Sequence, residues 1–260
     1  MRLLVSNKFF VEEGPGKYST TPLTAALATG SHLKAAVLHI THLYHADACI
    51  PDFLAASGYA NPSDAFDTPG ERAFDWGKDS TLFDFYRRPG NERLADAFNK
   101  TMEMQRGSGD GTFMSDYPAL QRLAQKDSER VLFVDVGGSL GHQIKKFANM
   151  YPSLPGKLVL EDLPEVVGKA TDVPENIIKL GHDFFKPQPD AVKNAKAFYL
   201  RTILHDWPEK QARQILSGIK SVMADDSVVL IQEAILPETG VHEFEAKMDL
   251  HMMNLGAMER

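Results

Sequence analysis

The chain has 260 residues, enough for one large domain or two smaller ones with a buried core. A hydrophobic content of 43% and a charged content of 24% are those of an ordinary globular protein, and a formal net charge of −7 argues against a polyanionic partner such as nucleic acid. No apolar run approaches membrane-spanning length, Met1–Lys8 lacks the apolar core and cleavage site of a secretory signal, and the single Cys49 excludes an internal disulfide framework, so a cytoplasmic setting is expected.

The first part of the chain has mostly helical spacing, with one hairpin signal. Phe9–Glu13 and Lys17–Thr20 flank Gly14-Pro15-Gly16, where Pro fixes φ and Gly supplies φ > 0. Thr21-Pro22 opens a short helix and Ser31–Tyr44 reads as another. Gly58 to Gly70 is rich in Pro, Ser, Asp and Gly and reads as a surface loop. Asn91–Gln105 places Leu94, Phe98 and Met102 at helical spacing, and Arg106–Gly111 is the best linker candidate. The expected division is therefore a helical region over 1–105 and a second domain over 106–260.

From Val131 onward strands and helices alternate. Strands are expected at 131–136, 157–161, 176–180, 196–201 and 227–233, and helices at 141–150, 163–169, 208–224 and 243–254. That alternation predicts an α/β fold with a parallel sheet covered on both faces, whose ligand sits beyond the carboxyl ends of the strands. Asp135, Asp162, Asp183, Arg201 and Glu233 fall at or just past such ends. The strand ending at Asp135 runs into Val136-Gly-Gly-Ser-Leu-Gly-His142, a glycine-rich turn in which Ser139 and His142 replace glycines of the dinucleotide pattern. This favours a nucleoside without phosphates, such as S-adenosylmethionine (SAM), over NAD, with the carboxylate of Asp162 available to a ribose diol.

Six segments carry a resemblance that covers nearly the whole chain: Val134-Asp-Val-Gly-Gly138, Asp162-Leu-Pro164, Gly181-His-Asp-Phe-Phe185, Leu204-His-Asp-Trp-Pro208, Glu233-Ala-Ile-Leu-Pro237 and Met258-Glu-Arg260. In this order the sequence resembles the plant and fungal small-molecule O-methyltransferases of the caffeate and flavonoid type. The resemblance implies a Rossmann-like SAM-dependent methyltransferase sheet preceded by a winged-helix-like region, with the hairpin at 9–20 as its wing, serving homodimerisation. It places the cofactor against Asp135, Gly137 and Gly138, with Asp162 and Leu163 at the ribose. Asp183 and Phe184 would border the adenine, Arg201 would lie near the methionine portion and Trp207 would pack on the base. Ser139 stands where the commoner turn has a third glycine, as it often does in fungal members. The other expectation for Trp207 is simple core packing.

The same resemblance gives His205 the role of general base, flanked by Glu233 and Glu259. A phenol has a pKa of about 10, so its proton must leave as the oxygen attacks the methyl group, and imidazole is the side chain suited to take it. The competing reading is that His205 caps its strand and Glu259 is a solvated terminal charge. Phe98 and Met102 match a segment that reaches over the pocket, and Met252, with Met248 and Met253, offers soft side chains to a planar acceptor. His39, His42 and His45 recur every three residues, but no Cys or carboxylate has ligand spacing around them, so no metal is expected. Asp206 is expected to be structural, at the mouth of the helix beginning with Pro208.

Three functions follow as alternatives. The leading one is methyl transfer from SAM to a hydroxyl of a small secondary metabolite, leaving S-adenosylhomocysteine (SAH). The second keeps the SAM site but promotes rearrangement or cycloaddition, and the third is a winged-helix DNA-binding regulator. Relative to the family the chain looks shortened at both ends. The sequence therefore also predicts an edge strand at 227–233 prone to self-association, and allows an inactive fragment.

Overall fold

Turn and capping chemistry sets the first half of the chain. The computed structural model describes residues 1–28, 31–77, 79–108 and 117–256. After α1 (Arg2–Ser6), β1 (Phe10–Gly14) and β2 (Lys17–Thr20) pair antiparallel around Gly16, whose φ of +73° makes the turn. Thr21 and Thr24 exchange side-chain and backbone bonds in a capping box that starts α2 (Pro22–Ala26). The Ser31 hydroxyl accepts from the Lys34 N–H to start α3 (His32–Asp47).

Three short helices follow: α4 (Ile50–Ala56), α5 (Pro69–Phe74) and α6 (Leu82–Arg87). The loop expected over 58–70 thus ends early, because Thr68 caps the Glu71 N–H and Pro69 is preset for a first helical turn. Next, α7 (Glu92–Ser108) runs through the boundary expected at 105–106, so Arg106 to Ser108 are helical. The rest of the expected linker, 109–111, lies outside the described residues.

The second half is an open, doubly wound sheet. β3 (Val131–Val136), β4 (Lys157–Asp162), β5 (Ile177–Gly181), β6 (Ala197–Arg201) and β7 (Val228–Gln232) are all parallel, in the order β5-β4-β3-β6-β7. α8 (Ala119–Arg122) precedes β3, α9 (His142–Met150), α10 (Pro164–Val167) and α11 (Glu209–Lys220) run between the strands, and α12 (Glu243–Met252) follows β7. Strand alternation divides the core. Val134, Val136, Phe198 and Leu200 pack toward Ala212, Ile215 and Ile219 of α11. Phe133, Leu158, Leu160 and Tyr199 pack toward Ile144 and Phe147 of α9. The chain leaves β3 toward β4 and β5, then returns to β6 on the other side, so the switch point lies between β3 and β6.

The two halves are not packed separately along the chain. A third core of Leu43, Trp76, Leu82 and Tyr86 includes Leu255, which follows α12. Asp47 of α3 lies 3.3 Å from Nδ1 of His251 and accepts a hydrogen bond from the amide of Asn254. At Gly70 an added Cβ would lie 2.7 Å from the Asn254 carbonyl oxygen, so the absent side chain permits this approach.

Candidate functional site at the carboxyl ends of the strands

The turn after β3 is held from the neighbouring strand. The Gly138 N–H donates to the Glu161 carbonyl and the Ser139 N–H donates to Oδ2 of Asp162 at 2.8 Å, while Oδ1 of Asp162 accepts from the Leu163 N–H at 2.7 Å. Gly137 and Ser139 both have positive φ, +68° and +55°. A Cβ on Gly137 would meet Ile203 Cδ1 at 2.5 Å, and one on Gly138 would meet Leu160 and the Asp135 carboxyl at 2.5–2.6 Å. The sequence reading gives these glycines to ligand approach; the structure shows that the chain's own packing already requires them.

Asp135 is 2% exposed and its Oδ2 accepts from the Ile144 N–H in the first turn of α9. Its carboxylate therefore fixes the helix beneath the turn. Asp162 is half-buried at the strand tip, where its carboxylate accepts from the N–H groups of both Ser139 and Leu163.

The loop after β5 borders the same turn. The His182 N–H donates to the Asp162 carbonyl, Oδ1 of Asp183 accepts from the Phe185 N–H, and the Phe184 ring lies 3.6 Å from where a Gly137 Cβ would stand. Asp183 also pairs with Lys186 at 3.8 Å. Trp207 is 8% exposed and meets Phe184 and Phe185 edge-on, with centroids 6.1 and 4.6 Å away. Its indole thus belongs to the core beside this loop.

The segment after β6 carries the expected base. Arg201 ends the strand half-buried, and Thr202 follows at φ +50°, a costly conformation for a β-branched residue. A single 3-10 turn, Leu204–Asp206, then presents His205. Oε1 of Glu233 accepts from the N–H groups of Ile203, Leu204 and His205 at 3.0, 2.8 and 3.4 Å. Its Oε2 lies 3.9 Å from Nδ1 of His205, and Oδ1 of Asp206 lies 3.5 Å from Nε2. Burial pushes the Glu233 carboxyl up, while His205 and the three N–H donors pull it down. Glu233 therefore holds the backbone of the turn that carries His205 as well as facing its ring. Among the described residues no side-chain bond caps α11 at Pro208. Glu259 lies outside the described residues.

An aromatic layer from the first half of the chain lies against this segment. Phe83 contacts both Trp207, at 5.7 Å, and Phe98, at 5.9 Å. Phe98 in turn meets His39 and Tyr86 at 5.4 and 5.5 Å. A small cavity lined by Trp76, Phe83, Asp206, Trp207 and Leu255 lies at this boundary. Met102 is half-buried on α7 and Met252 is buried at the end of α12. His39 is buried, which drives its pKa down to about 4, with His251 and His42 adding to the effect. His42 stacks on Phe74 at 4.4 Å. Among the described residues no group of three His, Cys, Asp or Glu could hold a metal ion, and no helix is long and apolar enough to cross a membrane.

The sequence reading missed Glu161 and Gln188, which join β4 to the loop after β5. The one signal available was a carboxyl residue closing an apolar strand beside Asp162; Gln188 carried none.

A doubly wound sheet with a glycine turn at its switch point, a carboxylate at the next strand tip and a histidine–glutamate pair beyond β6 is the Rossmann-like frame of nucleoside-cofactor enzymes. The chain belongs to the O-methyltransferase domain family, whose model matches residues 82–260. It is 33% identical to O-methyltransferase ucdC of Aspergillus ustus, in an alignment spanning 100% of this chain and 66% of that protein. A solved structure described as a pericyclic reaction enzyme superposes with a TM-score of 0.82 at 31% identity, covering 100% of this chain and 66% of the other. The structure of LepI in complex with SAM gives a TM-score of 0.81 at 32% identity, with the same coverage. The chain thus spans about two thirds of the length of the relatives it matches.

Proposed function

We propose that the chain is the core of a SAM-dependent O-methyltransferase acting on a hydroxyl, phenolic by chemistry, of a small secondary metabolite, with His205 as general base. The observation that carries this reading is the His205–Glu233 pair beyond β6, next to the glycine turn and Asp162. The cofactor fits the residues present: Asp162 stands at the tip of β4 against the Ser139 N–H of the glycine turn, and Phe184 lies beside Gly137. In this reading Asp162 and Leu163 hold the ribose end, Asp183, Phe184 and Trp207 bound the adenine side, and Arg201 lies toward the methionine end. When bound, SAM supplies an electrophilic methyl group on a sulfonium.

His205 takes the acceptor's proton, and the carboxylates of Glu233 on the Nδ1 side and Asp206 on the Nε2 side stabilise the imidazolium that forms. The present 3.9 Å separation shortens to a hydrogen bond in the working complex, as catalytic contacts commonly do. Glu259 is proposed as the second carboxylate at the base, and Phe98, Met102 and Met252 as acceptor contacts. The proposal includes a homodimer through the first half of the chain and a cytoplasmic setting. The protein is to be incubated with SAM and a panel of phenols and other hydroxylated aromatics, with SAH and methylated product measured together. Equal amounts of both support the reading; SAM left intact with every acceptor opposes it.

A second reading is favoured by the likeness to the pericyclic enzyme: SAM is bound, and its methyl group is retained while a substrate rearranges. Substrate conversion without SAH identifies that case.

A further inference from the structure

Glu161 is a carboxyl residue inside the sheet core, and the mechanism above does not use it. It is 1% exposed on β4, opposite Val136 of β3 and Leu180 of β5, immediately before Asp162. Its backbone carbonyl already holds the glycine turn through the Gly138 N–H. Its Oε1 accepts from Nε2 of Gln188 at 2.9 Å, and Gln188, 7% exposed, closes the loop that carries His182, Asp183 and Phe184. One side-chain bond therefore ties the strand of the ribose carboxylate to the loop on the adenine side.

The other two atoms of the pair define its protonation state. Oε2 of Glu161 and Oε1 of Gln188 are both buried, and among the described residues neither has a hydrogen-bond partner. Two lone acceptors cannot satisfy each other, and leaving both buried is costly. A proton on Oε2 turns it into a donor and completes a reciprocal pair, the amide N–H to Oε1 and the acid O–H to the amide oxygen. Burial and the neighbouring Asp162 push Glu161 up, Gln188 pulls it down, and the outcome is about 7. The other charged groups on the elements around it have their own contacts: Asp135 binds the Ile144 N–H, and Asp183 and Lys186 pair with each other. Nε2 of His182 is buried on the same loop, and burial lowers the pKa of that ring.

We propose that Glu161 and Gln188 are positioning residues, an acid–amide clasp that sets the adenine-side loop against Asp162 and holds the nucleoside end of the cofactor only while Glu161 keeps its proton. The proposal rests on the SAM-binding reading above. Ionisation of Glu161 breaks one of the two bonds and places a second charge beside Asp162, so affinity falls as pH rises.

The test is SAH affinity by calorimetry for the wild type, Glu161→Gln and Gln188→Leu between about pH 6 and pH 8.5, with melting curves of the same proteins without ligand. The wild-type affinity falls about tenfold more over that range than that of Glu161→Gln, which corresponds to one pKa unit of difference between the free and bound protein. Glu161→Gln keeps both bonds without a titrating proton, so it restores tight binding and is flat by comparison. Gln188→Leu binds more weakly even at the acid end. Parallel pH profiles for the wild type and Glu161→Gln would overturn the clasp, as would a Glu161→Gln chain that fails to fold, because the amide is the neutral isostere of the proposed acid. If the wild type binds no SAH at any pH, the SAM reading fails, and the ligand-free melts still decide the protonation. Glu161→Gln gaining on the wild type as pH rises past about 7 supports a neutral Glu161, and no gain overturns it.

Discussion

Replacing Glu233 with alanine removes the acceptor that organises the turn bearing His205. Its side chain is 4% exposed, and two of its three bonds to backbone N–H groups, from Ile203 and Leu204, are 3.0 Å or shorter. A hydrogen bond to a charged group contributes about 1.5–3 kcal/mol, and the N–H groups left behind are part-buried; against this stands relief from burying the carboxylate, giving a net loss of about 3–5 kcal/mol. For a chain of this size 1 kcal/mol shifts the melting temperature by about 2–4 °C, so differential scanning calorimetry should show a drop of roughly 6–20 °C. Glu233→Gln keeps an acceptor oxygen toward those N–H groups and removes the charge facing His205. It should melt within a few degrees of the wild type and still lose turnover if the charge serves the base. A Glu233→Ala protein that melts with the wild type would refute the assignment of Glu233 as the anchor of residues 203–205.

Other expectations follow from the same geometry. Gly138→Ala forces a Cβ to within 2.6 Å of Leu160 and the Asp135 carboxyl, so urea denaturation should show a loss of about 1–3 kcal/mol even without ligand. Asp162→Ala should weaken SAM and SAH alike in calorimetry and also lower stability, because the Ser139 and Leu163 N–H groups lose their acceptor; unchanged affinity for both ligands would remove Asp162 from the site. Trp207→Ala should destabilise by about 3–5 kcal/mol in urea, the scale for a large buried aromatic side chain. Glu161, whose folded-state pKa is raised, contributes stability that is full below its unfolded value and lost as pH rises through about 7, on the order of 3 kcal/mol in a denaturation series. His39, whose pKa is lowered to about 4, acts in the opposite sense: its contribution is full above about 6.5 and lost on acidification toward 4, a loss that His39→Phe should abolish.

Much of the sheet was legible because buried parallel strands are short apolar runs with sharp ends. Val131–Val136 ends at the glycine turn as expected, and the other strands match within one residue at each end. The helix expected over 208–224 ends at Lys220, because Val222 keeps the apolar pattern going after the backbone has already turned. The helices at 50–56, 69–74 and 82–87 went unread because elements this short show too little of the 3.6-residue period. Their signals were local instead: Thr68 before Pro69, and Thr81 with Asp84.

At the site, the sequence identified which residues reach the strand ends but not what each one touches. That Asp135 serves α9, that Gly137 makes room for Ile203, and that Glu233 gathers three backbone N–H groups all depend on partners distant in sequence. Glu161 and Gln188 are 27 positions apart, and only the folded sheet brings them together.

The proposed reaction turns on His205 removing the proton of an acceptor hydroxyl while SAM is bound nearby. The most direct measurement compares SAH formation by the wild type and His205→Ala with an acceptor that the wild type methylates, with SAH affinity measured on both by calorimetry. His205→Ala should lose roughly 10²–10⁴-fold in rate, the scale for removing a general base, with affinity for SAH nearly unchanged. Turnover within a few-fold of the wild type, or SAH affinity lost together with activity, would contradict it.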